Sequence, residues 1–330
     1  MTNERSLRVA VAGCGTMGKL YASVLTRMVD IELAGFYARR SESAIDAAAS
    51  FGTRLFMSYE ELLAEADIDV VCITLPTYLH RQYAVQAAER GKHVICEKPM
   101  ALTLEDTEAM MRASERYGTR LLVGHVLRFA PEYRNLRDHV LSGKIGKVGV
   151  GHARRASLHP PSGSWFKNEE MSGGVLFDLM IHDIDFMRWT LGEVRSVYAS
   201  LTTASGIEYA NATLRFASGA IVNLEAHWGY PGPFLAEVEL AGQSGVMRCS
   251  NQNGQSLIVR QMESPGIAGE GVHIPSFLLK KDPYEAEIEH FIACIRTGAE
   301  PVVSAEDASR AVEIALAAGC SAQTGLPQKL

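Results

Sequence analysis

The six residues GCGTMG, Gly13 to Gly18, follow the apolar run Val9 to Ala12 and open a stretch with helical patterning, so a strand turns tightly into a helix here. Gly13 permits the turn, Gly15 lets the backbone approach a bulky anion, and Gly18 lets helix and strand pack closely. The backbone around Cys14, Gly15, Thr16 and Met17 then presents free N–H groups at the helix start, where a pyrophosphate is held. A glycine-rich turn is a common feature, and its weight comes from the alternation of strands and helices downstream of it.

From Leu7 to about Val126 short apolar runs alternate with helical segments, the rhythm of parallel strands joined by crossover helices. Strands are expected at Leu7 to Ala12, Ile31 to Tyr37, Val70 to Leu75, His93 to Cys96 and Leu121 to Val123. Right-handed crossovers place the carboxyl ends of all of them on one rim, where ligands bind. After Pro131 the rhythm changes to one helix followed by seven strand-like runs between Val148 and Arg260, including a hairpin at Ala217, Ser218 and Gly219. Two helices close the chain, and Gln261 to Lys281 reads as a mobile loop. The expected fold is α/β: an N-terminal Rossmann domain with a parallel sheet over residues 1–126, then a C-terminal α/β domain with a large open, mostly antiparallel sheet over 127–330. One face of so large a sheet needs cover from a second copy, so a homo-oligomer is expected.

With 330 residues and a formal net charge of −6, the chain has room for two cores and no basic tract for nucleic acid. No run approaches membrane-spanning length and no apolar leader precedes the first strand, which points to the cytoplasm. The six cysteines are widely separated and read as small buried hydrophobes, with neither disulfide nor metal spacing.

A turn selective for NAD carries an acidic residue after the second strand, where the carboxylate accepts the ribose 2′-hydroxyl. Here that strand runs into Ala38, Arg39, Arg40 and Ser41. Guanidinium groups and a hydroxyl suit a 2′-phosphate, so NADP is favoured over NAD.

The strand ending at Cys96 delivers Glu97, Lys98 and Pro99 to the ligand rim, and a cationic Lys98 there can hydrogen-bond a substrate oxygen. Ser172 to Gly192 reads as one helix beginning near two glycines, with Asp178, His182, Asp185 and Trp189 on a single stripe. Asp178 and His182 are neighbours four residues apart, so the carboxylate can orient the imidazole as a general base. The two side chains are too few for zinc, and no metal is expected.

These segments resemble the glucose-fructose oxidoreductase, inositol dehydrogenase and rhizopine-catabolism (Gfo/Idh/MocA) family over nearly the whole chain. The resemblance rests on GCGTMG, LPTYLH, GKHVICEKPMALT, GHVLRFAPEYR and GGVLFDLMIHDID. It implies a dimeric or tetrameric dehydrogenase of sugars or cyclitols, with Lys98 near nicotinamide and substrate and Asp178 and His182 completing the site. It also implies cofactor contacts by Thr74, Leu75, Pro76, His80 and Glu97, and a cis bond before Pro99. LPTYLH departs from the family segment in having Leu75 where threonine is common.

Arg128, Arg154, Trp165, Lys98, Asp178 and His182 are the candidate substrate contacts, and inositol is the leading substrate, with an acidic sugar open because guanidinium binds carboxylate at two points. Two other classes stay open: a glycoside hydrolase that uses the dinucleotide without net redox, and a dinucleotide-binding sensor that turns over nothing.

Overall fold

The computed structural model describes residues 5–38, 41–161, 163–204, 206–252, 257–261 and 282–330. The chain divides into two compact units, Met1–His125 with Tyr284–Ser309, and Val126–Pro283 with Arg310–Leu330. The first unit is therefore discontinuous, where the sequence suggested a single boundary after residue 126.

In the first unit, β1 (Leu7–Ala12), β2 (Ile31–Tyr37), β3 (Arg54–Phe56), β4 (Val70–Ile73), β5 (His93–Glu97) and β6 (Leu121–Gly124) form a six-stranded sheet in the order β3-β2-β1-β4-β5-β6. Every pairing is parallel. β4 and β6 are buried at every position, as strands covered on both faces must be. The order reverses between β1 and β4, which opens a crevice at their carboxyl ends. β3 escaped the sequence reading because three residues beginning with arginine show no periodicity.

The crossovers are α1 (Thr16–Leu25), α2 (Glu42–Ser50), α3 (Tyr59–Ala64), α4 (His80–Glu89) and α5 (Leu104–Tyr117). Short polar side chains start three of them: Ser41, Ser58 and Thr103 accept from Ala44, Glu61 and Asp106 N–H at 3.2, 3.0 and 3.1 Å. Gly118, at φ +65°, ends α5.

The second unit starts with α6 (Pro131–Leu141), β7 (Val148–Ser157), α7 (Glu169–Ser172), a π turn over Leu176–Met180 and α8 (Ile181–Leu191). Strands β8 (Val194–Ala204), β9 (Ile207–Phe216), β10 (Ile221–Trp228), β11 (Leu235–Gly242), β12 (Gly245–Ser250) and β13 (Leu257–Gln261) follow. The chain closes with α9 (Pro283–Thr297), which belongs to the first unit from Tyr284 onward, then α10 (Ala305–Thr324) and β14 (Gln328–Lys329). The eight-stranded sheet runs β13-β12-β11-β7-β10-β9-β8-β14, antiparallel except where β7 meets β10. Residues 262–281 of the expected loop lie outside the described residues, as do Arg39 and Arg40.

Gly219, at φ +92°, turns β9 back into β10. Ala212, Leu214 and Phe216 of β9 and Val222, Leu224 and Ala226 of β10 point to one buried face, and β10 packs against the π turn and α8. The opposite face carries Asn211, Thr213 and Arg215 together with exposed Val150, Tyr198 and Ile221. No described helix is long and apolar enough to cross a membrane. Cys72 and Cys96 are buried in β4 and β5 as expected, whereas Cys320 is exposed.

Candidate active site

The β1–α1 turn is shaped by three glycines with different reasons. Gly13 has φ +114°, its N–H donates to Tyr37 O at 2.8 Å, and a Cβ there would lie 2.6 Å from Thr74 O. A Cβ on Gly18 would lie 2.0 Å from Gly13 O, while one on Gly15 would meet nothing within 4 Å. Packing within the protein demands the first and third glycines; the second leaves a space open to a ligand. No side chain caps α1, and its first turn holds no acidic residue. This open, uncapped helix start fits a dinucleotide pyrophosphate, with the backbone of Gly13, Cys14, Gly15, Thr16, Met17 and Gly18 around it. Thr74 ties the turn to the end of β4, its hydroxyl lying 3.2 Å from both Ala12 O and Gly13 O.

Ala38 is half-buried just after β2, and no carboxylate stands in its place. Ser41 accepts from Ala44 N–H as the α2 cap, which leaves its hydroxyl proton available. The Tyr37, Tyr59 and Tyr83 rings cluster nearby with centroids 4.6 to 5.8 Å apart, and Tyr37 Oη lies 3.1 Å from Tyr83 Oη. This trio joins three elements and had no local sequence signal.

Leu75 and Pro76 are half-buried on the loop after β4. His80, expected at the cofactor, has its ring buried between Leu75 O and Pro99 O, each 2.9 Å from a ring nitrogen. Burial pushes its pKa down, and a neutral ring donates to only one carbonyl. His80 thus braces the loops that follow β4 and β5 against each other. Lys98 is half-buried, its N–H donates to Glu97 Oε2 at 3.2 Å, and the Lys98–Pro99 peptide is cis.

In the second unit the expected single helix from Ser172 is replaced by α7, a break, the π turn and α8. Gly173 and Gly174 make the break with φ of +74° and +65°. A side chain on Gly173 would strike the Phe177 ring, and one on Gly174 would lie 2.7 Å from Glu208 Oε1. That oxygen accepts from Val175 N–H at 2.8 Å, so Glu208 caps the new helix from across the sheet. Burial and then the nearby Glu169 raise the Glu208 carboxyl, Asp178 adding to the shift, against the pull of the Val175 N–H and of His159. Sequence reasoning missed Glu208 because its partner is distant in the chain.

Asp178 and His182 are half-buried while Phe177, Leu179, Met180, Ile181 and Asp183 around them are buried, so this pair holds the open side of the helix. Their four-residue spacing spans the junction of π and α winding, an irregularity that recurs at functional sites. Asp185, expected on the same stripe, turns into the core and pairs with Arg128. Arg128, expected as a substrate contact, is 1% exposed and pairs with Asp185. Arg155 pairs likewise with Asp183. Arg154 points the other way by strand alternation, is exposed, and lies 3.6 Å from Glu225. Trp165 is half-buried and stacks on Phe166 at 3.9 Å between centroids, with the edge of Trp228 behind. Trp189 is half-buried beneath the Arg137 guanidinium. Among the described residues no three His, Cys, Asp or Glu side chains converge as a metal cage.

Comparison with known proteins agrees with both halves. Residues 7–125 match the description "Oxidoreductase family, NAD-binding Rossmann fold", and residues 133–248 match the GFO/IDH/MocA C-terminal domain. The oxidoreductase YrbE of Bacillus subtilis, itself uncharacterized, is 29% identical over 337 residues, covering 98% of this chain and 96% of the relative. Myo-inositol 2-dehydrogenase of Thermotoga maritima is 27% identical, with 98% and 97% covered. The crystal structure of GenD2 from gentamicin A biosynthesis, in complex with NAD, superposes with a TM-score of 0.88 at 24% identity over 100% of this chain and 98% of that one, a likeness of fold. With its dinucleotide turn, its Glu97-Lys98-Pro99 segment and both domain descriptions matched, the chain belongs to the GFO/IDH/MocA oxidoreductase family.

Proposed function

We propose that the protein is an NAD(P)-dependent dehydrogenase or reductase acting on a secondary alcohol of a sugar or cyclitol, inositol being the leading case. The observation that carries this reading is the open cradle at Gly15, on the same sheet rim to which β5 delivers Lys98. The bound nicotinamide would exchange a hydride with the alcohol carbon. Lys98 supplies an ammonium that hydrogen-bonds the reacting oxygen and steadies its negative charge. His182 takes the hydroxyl proton, and Asp178 orients the imidazole and favours its charged form. Trp165, stacked on Phe166, offers a flat apolar surface to the C–H face of a sugar ring. Arg154, occupied with Glu225 on the exposed sheet face, takes no part in this assignment.

The finer cofactor choice is NADP, supported by the neutral Ala38 and by Arg39, Arg40 and Ser41 after it. A homo-oligomer that covers the outer sheet face is part of the proposal, supported by exposed Val150, Tyr198 and Ile221 there.

Nicotinamide absorbance followed against inositols, aldoses and uronates, with each cofactor, tests the reading. Lys98→Met and His182→Ala should lose turnover by roughly 10²- to 10⁴-fold while dinucleotide affinity stays. Full rate in either variant, or sugar release without net reduction of the dinucleotide, would overturn it.

A further inference from the structure

Tyr21 from α1, Glu97 from the end of β5 and Glu287 from α9 come together in the interior of the first unit. Tyr21 and Glu287 are 0% exposed and Glu97 is 8% exposed. Gly124 on β6 is the register partner of Glu97, and a Cβ on it would lie 3.1 Å from Tyr21 Oη and 3.4 Å from Glu287 Oε2. A phenol and a carboxyl thus converge on one point beside β6, and glycine leaves room for them. Cys72 of β4 lies close enough to act on Tyr21, and Cys96 of β5 close enough to feel Glu97.

Two carboxyl groups in a dry interior cannot both hold a charge cheaply, so one keeps a proton. Burial, and then the neighbouring Glu97, push the Glu287 carboxyl well above its ordinary value, partly offset by the Tyr21 hydroxyl. Glu97 accepts the Lys98 N–H at 3.2 Å.

We propose that Glu287 sits as a neutral carboxylic acid which, with the Tyr21 hydroxyl, fixes the Glu97 carboxylate next to Lys98, making Glu287 a positioning residue for that ammonium. The inference rests on Lys98 acting on the substrate oxygen in the proposed reaction. No element of it reaches the substrate directly: Glu287 and Tyr21 act on Glu97 from the point beside Gly124, and Glu97 accepts the backbone N–H of the residue whose side chain is the Lys98 ammonium.

Infrared spectra of the full-length protein, recorded well above the ordinary carboxylate range, test the proton. A protonated carboxyl C=O band should be present in the wild type and missing in Glu287→Gln; spectra without that difference overturn the inference. Kinetics test the positioning. Glu287→Gln keeps a neutral donor and should retain about tenfold more of kcat than Glu287→Leu, with dinucleotide Kd the same in both. Equal kcat in the two variants overturns it. Tyr21→Phe, which removes only the hydroxyl, should lower kcat in the same way even if the leucine variant does not fold, and an unchanged kcat overturns the shared role. A wild type inert toward every sugar and cyclitol would count against the function itself, and the infrared comparison would still decide the state of Glu287.

Discussion

Arg128 holds Asp185 with two parallel hydrogen bonds, Nε to Oδ2 at 2.9 Å and Nη2 to Oδ1 at 2.6 Å, both side chains 1% exposed. Arg155 holds Asp183 in the same way, at 3.0 and 2.8 Å. Two buried acids on α8 are thereby pinned by arginines from elsewhere in the unit, which fixes the rotation of the helix and leaves Asp178 and His182 on its open side. Removing one partner strands a buried charge, so Asp185→Leu should destabilise the protein by about 3–5 kcal/mol. Replacing both residues by apolar ones should recover much of the loss, and urea unfolding of the single and double variants reads the difference.

Gly15 and Gly18 should respond oppositely to the same substitution. Gly15→Ala meets no atom of the protein, so its Tm should hold while dinucleotide affinity falls about tenfold, or about 1.4 kcal/mol. Gly18→Ala drives a methyl into Gly13 O and should cost about 1–3 kcal/mol of stability before any ligand is added. Thermal unfolding with and without dinucleotide separates the two.

Ala38→Asp places a carboxylate after β2, where it repels a 2′-phosphate and accepts a 2′-hydroxyl. The ratio of kcat/KM for NADP to that for NAD should fall roughly tenfold or more. An unchanged ratio would remove Arg39 and Arg40 from cofactor selection.

Glu287 makes stability depend on pH with a definite sign. Its folded-state pKa lies above the unfolded value of about 4.3, so the native state binds the extra proton between the two. The stabilisation is full below the unfolded value and is lost as pH rises toward the folded one, by at most about 1.4 kcal/mol per pH unit. Glu287→Gln lacks this proton, so its stability relative to the wild type should climb through that window. Denaturant midpoints measured across it would run parallel if Glu287 titrated alike in both states.

The turn at Gly13 to Gly18, the strands β1 and β2, the hairpin at Gly219 and the pairing of buried with outward residues along β9 were legible because each is written in neighbouring residues. Periodicity and the conformational demands of glycine act over a few positions, so a linear reading captures them. Lys98, Asp178 and His182 stood out for the same reason: each sits at a strand or helix terminus marked by nearby Gly or Pro.

Long-range packing decided the rest. Asp185 lies 57 residues from Arg128 and Asp183 lies 28 from Arg155, so two charges that look solvated on a helical wheel prove to be buried. The same holds for His80 against Pro99, for Glu208 at the start of the helix after Gly174, and for Tyr21, Glu97 and Glu287. Local sequence determined where strands, turns and helices form, because backbone sterics and hydrophobic periodicity need only adjacent residues. Which polar groups lose their water was settled by the tertiary structure alone, because desolvation depends on what the folded chain brings alongside.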